Sequence, residues 1–162
     1  MANPLPTGFL MNIEEILKNP FSFTQRKVFT PCETRPIWKC SLVILIIGLT
    51  GRNKRCSQIK IHTANWLTKS PEHYDELREW SRAETMFPPH IRFDPTIDRA
   101  IDLIVGNKYA YKIDGKIALT DLGEALYLQI IANDIMMQER NVLTAAKKLL
   151  SEAAIKRIFK AS

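Results

Sequence analysis

The stretch LIVGNKYAYKIDGKIALTDLGEAL, residues 103 to 126, constrains this chain more than any other. Two short alternating runs, Tyr109 to Ile113 and Lys116 to Leu119, meet at Asp114-Gly115. That dipeptide suits a type I′ turn, whose two central residues both need positive φ, so the segment predicts a tight hairpin. Thr120 follows the second strand directly and can accept a hydrogen bond from the first turn of a helix, TDLGEALYLQIIANDIM. Upstream, Asp94-Pro95-Thr96 opens the helix PTIDRAIDLIVGNKY, in which Ile97, Ala100, Ile101 and Ile104 give a 0, 3, 4, 7 apolar stripe. Asp94 is its expected N-cap and Gly106-Asn107 its C-cap. Helix, hairpin and helix therefore follow one another with almost no connecting chain.

The preceding half supplies more helices. Pro36, at the favoured first helical position, starts a segment running through Trp38 and Ile44 to about Leu49. It is apolar at nearly every position, so it is expected to be surrounded by other elements. Its greasiest part, SLVILIIGLT, is about half the length needed to cross a bilayer. A basic turn with Arg52, Lys54 and Arg55 leads to Ser57, which can cap the helix SQIKIHTANWLT; Ile59, Ile61, Trp66 and Leu67 are its apolar set. Ser70 and Pro71 open a more polar helix, PEHYDELREWSRAE, and Pro88-Pro89 ends this series. HIRFD, residues 90 to 94, alternates as a short strand or extended edge. A last helix is expected from Asn141 to Lys160. Residues 1 to 35 form an arm broken by prolines, in which only MNIEEILKN has helical spacing, with Ile13, Ile16 and Leu17 on one edge. Such an arm either packs on its own core or is reserved for a partner. The expected organisation is an arm (1–35), a winged-helix-like domain (36–137) and a C-terminal helix (138–162). The fold class is mainly α with a small β-hairpin.

Charge and cysteine usage narrow the setting. The 162 residues carry 23 Lys and Arg against 17 Asp and Glu, a net +6 that favours a polyanion or an acidic protein surface. Three cysteines, Cys32, Cys40 and Cys56, cannot close a disulfide framework and include no CxxC pair, so they are expected to be core or inert thiols. MANPLPTGFLMN has no positive charge before its short apolar stretch and does not resemble a signal peptide. A cytoplasmic protein with no membrane association is expected.

For nucleic acid, the candidates are Arg52, Lys54 and Arg55 in the turn, Lys60 on the next helix, and Lys108, Lys112 and Lys116 around the hairpin, all suited to phosphate contact. The helix before the hairpin would be the groove reader, yet its polar face offers Asp98, Arg99 and Asp102, whose carboxylates would meet phosphate. A protein-binding scaffold is therefore favoured over sequence-specific readout. For a protein partner, the candidates are Phe9, Leu10, Ile13 and Ile16 in the arm, Trp80 on the polar helix, Arg92 and Arg99, and Ile155, Ile158 and Phe159 at the C-terminus. The C-terminal helix, basic through Lys147, Lys148, Lys156, Arg157 and Lys160, docks either on its own core or on a larger partner. Catalysis is hard to build. His62, His73 and His90 lie on different elements, no HxxxH or CxxC spacing occurs, and the six glycines form no phosphate loop. No enzyme, cofactor or metal is expected, and His62 is expected to be a structural histidine.

The run RPIWKCSLVILIIGLTGRNKRCSQIKIHTANWLTKS followed by IRFDPTIDRAIDLIVGNKYAYKIDGKIALTDLGEAL resembles the middle components of bacterial three-component ABC-ATPase systems. The resemblance spans about Arg35 to Leu126 and rests on hydrophobic pattern plus Arg35, Trp38, Asn65, Trp66, Arg92, Asp94, Pro95 and Arg99. Lamassu-type anti-phage systems are similar in layout, with an SMC-like ATPase, an effector that is often a nuclease, and a small accessory subunit. The resemblance implies a non-catalytic adaptor with a winged-helix core that bridges the ATPase and the effector, with DNA contacted at most through its backbone. Two rival expectations are a winged-helix transcription regulator, dimeric through its C-terminal helix, and a free-standing small basic phage or plasmid protein with weak DNA affinity.

Overall fold

A computed structural model describes residues 31, 35–83 and 87–161. Among them are seven helices and one small antiparallel sheet. Helix α1 (Pro36–Thr50) starts at its proline and forms the axis of the molecule. Every residue from Leu42 to Ile47 is at most 1% exposed. Over that stretch the uniformly apolar sequence answers an environment that is apolar on all sides, since α1 packs against most of the other helices and part of the sheet.

After α1, Arg55–Ser57 forms strand β1 and Gln58–Leu67 forms α2, with the Ser57 hydroxyl accepting from Lys60 N–H at 3.3 Å. Helix α3 (Pro71–Ala83) is mostly polar and turns Leu77 and Trp80 inward. Helix α4 (Pro95–Gly106) carries the expected N-cap, Asp94 accepting from Thr96 N–H. Residues 90–94 run extended without pairing into a strand. Strands β2 (Ala110–Ile113) and β3 (Lys116–Leu119) form the hairpin, with Asp114 at φ 49° and Gly115 at φ 69° as a type I′ turn requires. Thr120 then caps α5 (Asp121–Ala132) by accepting from Gly123 N–H at 3.2 Å.

The sheet has the order β1-β3-β2, so β3 is central. Arg55 lies opposite Ala118, Cys56 opposite Ile117 and Ser57 opposite Lys116. The backbone N–H groups of Arg55 and Ser57 find partners outside the ladder, Arg52 carbonyl oxygen at 3.2 Å and Glu152 Oε1 at 3.0 Å.

Two expectations about the C-terminal third are corrected. The helix expected through Met136 stops at Ala132, because Asp134 (φ 51°) and Met136 (φ 59°) take the left-handed conformation. Arg140 seals that break by donating from Nη1 to the Ile131 carbonyl and to Asp134 Oδ1. The single helix expected from Asn141 to Lys160 is two: α6 (Met137–Ala145) and α7 (Glu152–Ala161), separated by a turn through residues 146–150. The turn resets the helical phase so that Leu143, Ala146, Leu150, Ile155 and Ile158 all reach the one core. No helix among the described residues is long and apolar enough to cross a membrane.

Candidate partner-binding face

Helices α1 and α4 pack along one another, and their contact leaves an open seam. A cavity of about 420 Å³ lies along it, lined on α1 by Ile37, Cys40, Ser41 and Ile44, and on the other side by Leu103 and Leu126 among others. Ile37, Cys40, Ser41 and Ile44 follow one helical stripe, so the wall is continuous. Two rim side chains are apolar and open to solvent, Ile37 at 76% and Leu103 at 46%. A second cavity of about 180 Å³ shares Pro36 and Leu103 with the first and ends at Lys39, Thr96 and Arg99. The seam is therefore an apolar trough with a cationic end.

Beneath that end lies a buried polar network that fixes α1, α2 and α4 to each other. Asp94 Oδ1 accepts from Thr96 N–H (3.0 Å) and Thr96 Oγ1 (2.6 Å), and its Oδ2 accepts from Lys69 (3.0 Å) and Lys39 (3.3 Å). Burial pushes the Asp94 carboxyl upward, but the hydrogen bonds from Thr96 and Lys69 and the Lys39 charge outweigh it and hold it well below the usual carboxylate range. Lys39 also donates to Asn65 Oδ1 at 3.4 Å, while buried Asn65 Nδ2 finds no acceptor among the described residues. His62, only 2% exposed, accepts from Asp94 N–H at Nδ1 (3.4 Å). That bond leaves Nε2 as the protonated nitrogen, 2.8 Å from Asp98 Oδ1. Phe93 stacks on the His62 ring at 4.5 Å and meets Phe159 of α7 at 5.6 Å. His62 is thus buried, with both ring nitrogens engaged within the fold.

The nucleic-acid candidates divide into two sets. Arg52, Arg55, Lys108 and Lys116 are exposed and have no acidic partner among the described residues. Lys112 pairs with Asp102 at 3.1 Å, so the hairpin's cation is met by a carboxylate of α4. Lys54 sits 3.5 Å from Glu124 and 4.4 Å from the Tyr127 ring centre, tying the basic turn to α5. Lys60 is a correction. It is 4% exposed and its ammonium donates to the Thr50 carbonyl, the last of α1, where a positive charge complements the helix dipole. It is a C-terminal cap for α1 and offers nothing to a phosphate.

The protein-partner candidates divide similarly. Phe9, Leu10, Ile13 and Ile16 lie outside the described residues, as does Cys32. Arg92 and Arg99 are exposed. Trp80 is corrected: at 9% exposure it joins Leu77 in the core, because these i, i+3 positions are the inward face of α3. Ile155 (2%) and Ile158 (1%) are corrected likewise, since they complete the protein's own core, and Phe159 is half-buried against Phe93. The sequence reasoning missed Ile37, Leu103 and Cys40 as parts of one face. The available signal was that Leu103 falls outside the stripe of Ile97, Ala100, Ile101 and Ile104, whereas the uniformly apolar helix that holds Ile37 gave none.

The Cys40 thiol lies on the trough wall and donates to the Ala100 carbonyl at 3.8 Å; burial pushes its pKa up. Burial also raises Cys56, against the opposing pull of Lys60. Both thiols are therefore poor nucleophiles. Among the described residues no group of three or more His, Cys, Asp or Glu side chains is arranged to hold a metal ion. Compared with protein-family models, curated proteins and solved structures, the chain matches none.

Proposed function

We propose that this chain is a non-catalytic winged-helix adaptor that bridges an SMC-like ABC ATPase and an effector, such as a nuclease, in an anti-phage or anti-plasmid defence complex. The element order α1-β1-α2, then α4, β2 and β3, with β3 central, supports the winged-helix description. The partner class comes from the resemblance carried by Arg35, Trp38, Asn65, Asp94 and Arg99, several of which cluster around the α1–α4 seam.

One observation favours an adaptor over a sequence-reading regulator: the solvent face of α4. A reading helix presents donors and cations to base edges and phosphates. Here Asp98 and Asp102 are committed to His62 and Lys112, and Leu103 opens onto the apolar trough. That face suits a protein side chain better than DNA. Arg52, Arg55, Lys108 and Lys116 remain as cations for salt-sensitive contact with a duplex backbone.

The test is co-purification of the tagged chain, expressed with its native genomic neighbours, at moderate and high salt. A large ATPase and an effector retained at high salt are the expected result. Ile37→Asp with Leu103→Asp should weaken that retention by about 30-fold, as loss of a central apolar anchor does. Arg52→Glu with Arg55→Glu should reduce DNA carry-over and leave the protein complex intact. Recovery of salt-sensitive DNA alone, with sequence preference in a binding assay, would overturn the adaptor reading in favour of a regulator.

A further inference from the structure

Four residues stand in one row across the solvent side of the small sheet. Arg52 and Arg55 flank a two-residue turn, Asn53-Lys54, whose φ angles are 53° and 55°, and the two arginines form an antiparallel bridge. Arg55 lies opposite Ala118, and Ala118 opposite Tyr111. Directly opposed residues project from the same face of a sheet, so the row reads Arg52, Arg55, Ala118, Tyr111. Lys116, two residues before Ala118, shares that face. The other face carries Cys56, Ile117 and Leu119 into the core. We propose that the solvent face binds single-stranded nucleic acid, with a base stacked on Tyr111 and phosphates held by Arg52, Arg55 and Lys116. Such a site gives the adaptor's nucleic-acid contact a specific ligand, and it rests on that part of the adaptor reading.

Three observations carry it. The first is charge. Like charges placed directly opposite each other destabilise a sheet, so the Arg52–Arg55 pair is costly until an anion lies against it. Arg52, Arg55 and Lys116 are exposed, and none has an acidic partner among the described residues. Carboxylates around the sheet are taken up elsewhere: Glu124 faces Lys54, Glu152 accepts from the Ser57 amide, and Asp102 meets Lys112. Asp114, at the hairpin tip, lies beyond Lys116 at the end away from the arginines. The second observation is the ring. Tyr111 is 40% exposed, an aromatic side chain set among cations. A base inside a duplex is covered by its neighbours, whereas an unpaired base has a free face to stack, so this combination selects a single strand. The third is spacing. Neighbouring strands lie about 4.8 Å apart, which sets Arg55 roughly 10 Å from Tyr111 with the small, buried Ala118 between them. A phosphate on the arginines and an adjoining base on the tyrosine fit that interval.

The experiment measures fluorescence anisotropy of the full-length chain with a labelled oligothymidylate of about 15 nucleotides, beside a duplex of equal length, at about 50 and 200 mM salt. The single strand should bind at least about fivefold more tightly than the duplex. Tyr111→Ala should weaken the single strand about tenfold and leave the duplex unchanged, while Tyr111→Phe, which keeps the ring, should bind as the parent does. Arg52→Ala with Arg55→Ala should reduce the salt slope for the single strand by about 1.4, the share of two phosphates. Lys108→Ala removes an exposed cation that precedes β2 and lies outside the row, and it should change little. A loss as large as that of Arg55→Ala would mean diffuse attraction and overturn the site. Irradiation of the unsubstituted chain with an iodouracil-bearing strand should place the cross-link at Tyr111 by peptide mapping, a readout independent of how any variant folds. A duplex bound as tightly as the strand, a Tyr111→Ala chain that binds the strand as well as the parent, or a cross-link elsewhere would each overturn the proposal. No binding of either form at low salt would do the same. These outcomes leave the bridging of ATPase and effector untouched, whereas a failed co-purification with an intact Tyr111 effect leaves a single-strand binder that is no adaptor.

Discussion

Asp94 joins two tasks in one carboxylate: it caps α4 with Oδ1 and neutralises Lys39 and Lys69 with Oδ2. The two can be separated by substitution. Asp94→Asn keeps a capping oxygen but removes the charge, whereas Asp94→Ala removes both and leaves the 7%-exposed Lys39 without its counter-ion. Urea denaturation should therefore show Asp94→Ala costing about 2 kcal/mol or more, with Asp94→Asn in between. The sign of the pH dependence follows from the lowered pKa. The folded state binds the Asp94 proton more weakly than the unfolded chain, so its stabilisation is present above the unfolded value of about 4 and is lost as pH falls below it. Acid titration of stability should show that loss in the parent and a shallower one in Asp94→Asn. Lys60 yields a different expectation. Lys60→Glu would set a buried carboxylate against the C-terminal carbonyls of α1 and should unfold the protein rather than report on DNA. Arg52 and Arg55 are the positions at which to probe nucleic acid.

The join between β3 and α5 is tightest at Gly123, where a Cβ would fall on the Tyr109 backbone carbonyl oxygen. Backbone cannot swing aside as a side chain can, so Gly123→Ala should lower stability by about 2 kcal/mol, measurable as a lowered Tm. Gly115→Ala, in open space but at positive φ, should cost about 1 kcal/mol. Elements whose causes are local were legible in the sequence. Asp114-Gly115 forces its turn, and Ser57, Asp94 and Thr120 cap the helices that follow them. Strand β1 was not legible, because Arg55-Cys56-Ser57 becomes a strand only by pairing with residues 116 to 118, far along the chain. The α6–α7 turn was hidden for a related reason. Its residues have ordinary helical composition, and only the pull of Leu150 and Ile155 into a common core breaks the helix. The trough was equally hidden, since its walls come from α1, α4 and α5 and no one segment contains it.

Across the whole molecule, the apolar side of the C-terminal third belongs to the core. Leu143, Leu150, Ile155 and Ile158 share the cluster that surrounds α1, so deleting residues 152 to 162 should produce a chain that unfolds well below the parent on thermal denaturation. That outcome would also bar this deletion as a test of partner binding, where the paired change at Ile37 and Leu103 serves instead. The small sheet carries one more consequence at this scale. An edge strand with bare amides is a template onto which any extended peptide can crystallise a further rung, the route to runaway self-association. Strand β1 presents no such template: its Arg55 and Ser57 amides are already spoken for by Arg52 and by the Glu152 carboxylate. Glu152→Ala should uncover the Ser57 amide and raise light scattering on prolonged incubation. The first residue of the last helix is thus a guard on one of the sheet's two edges.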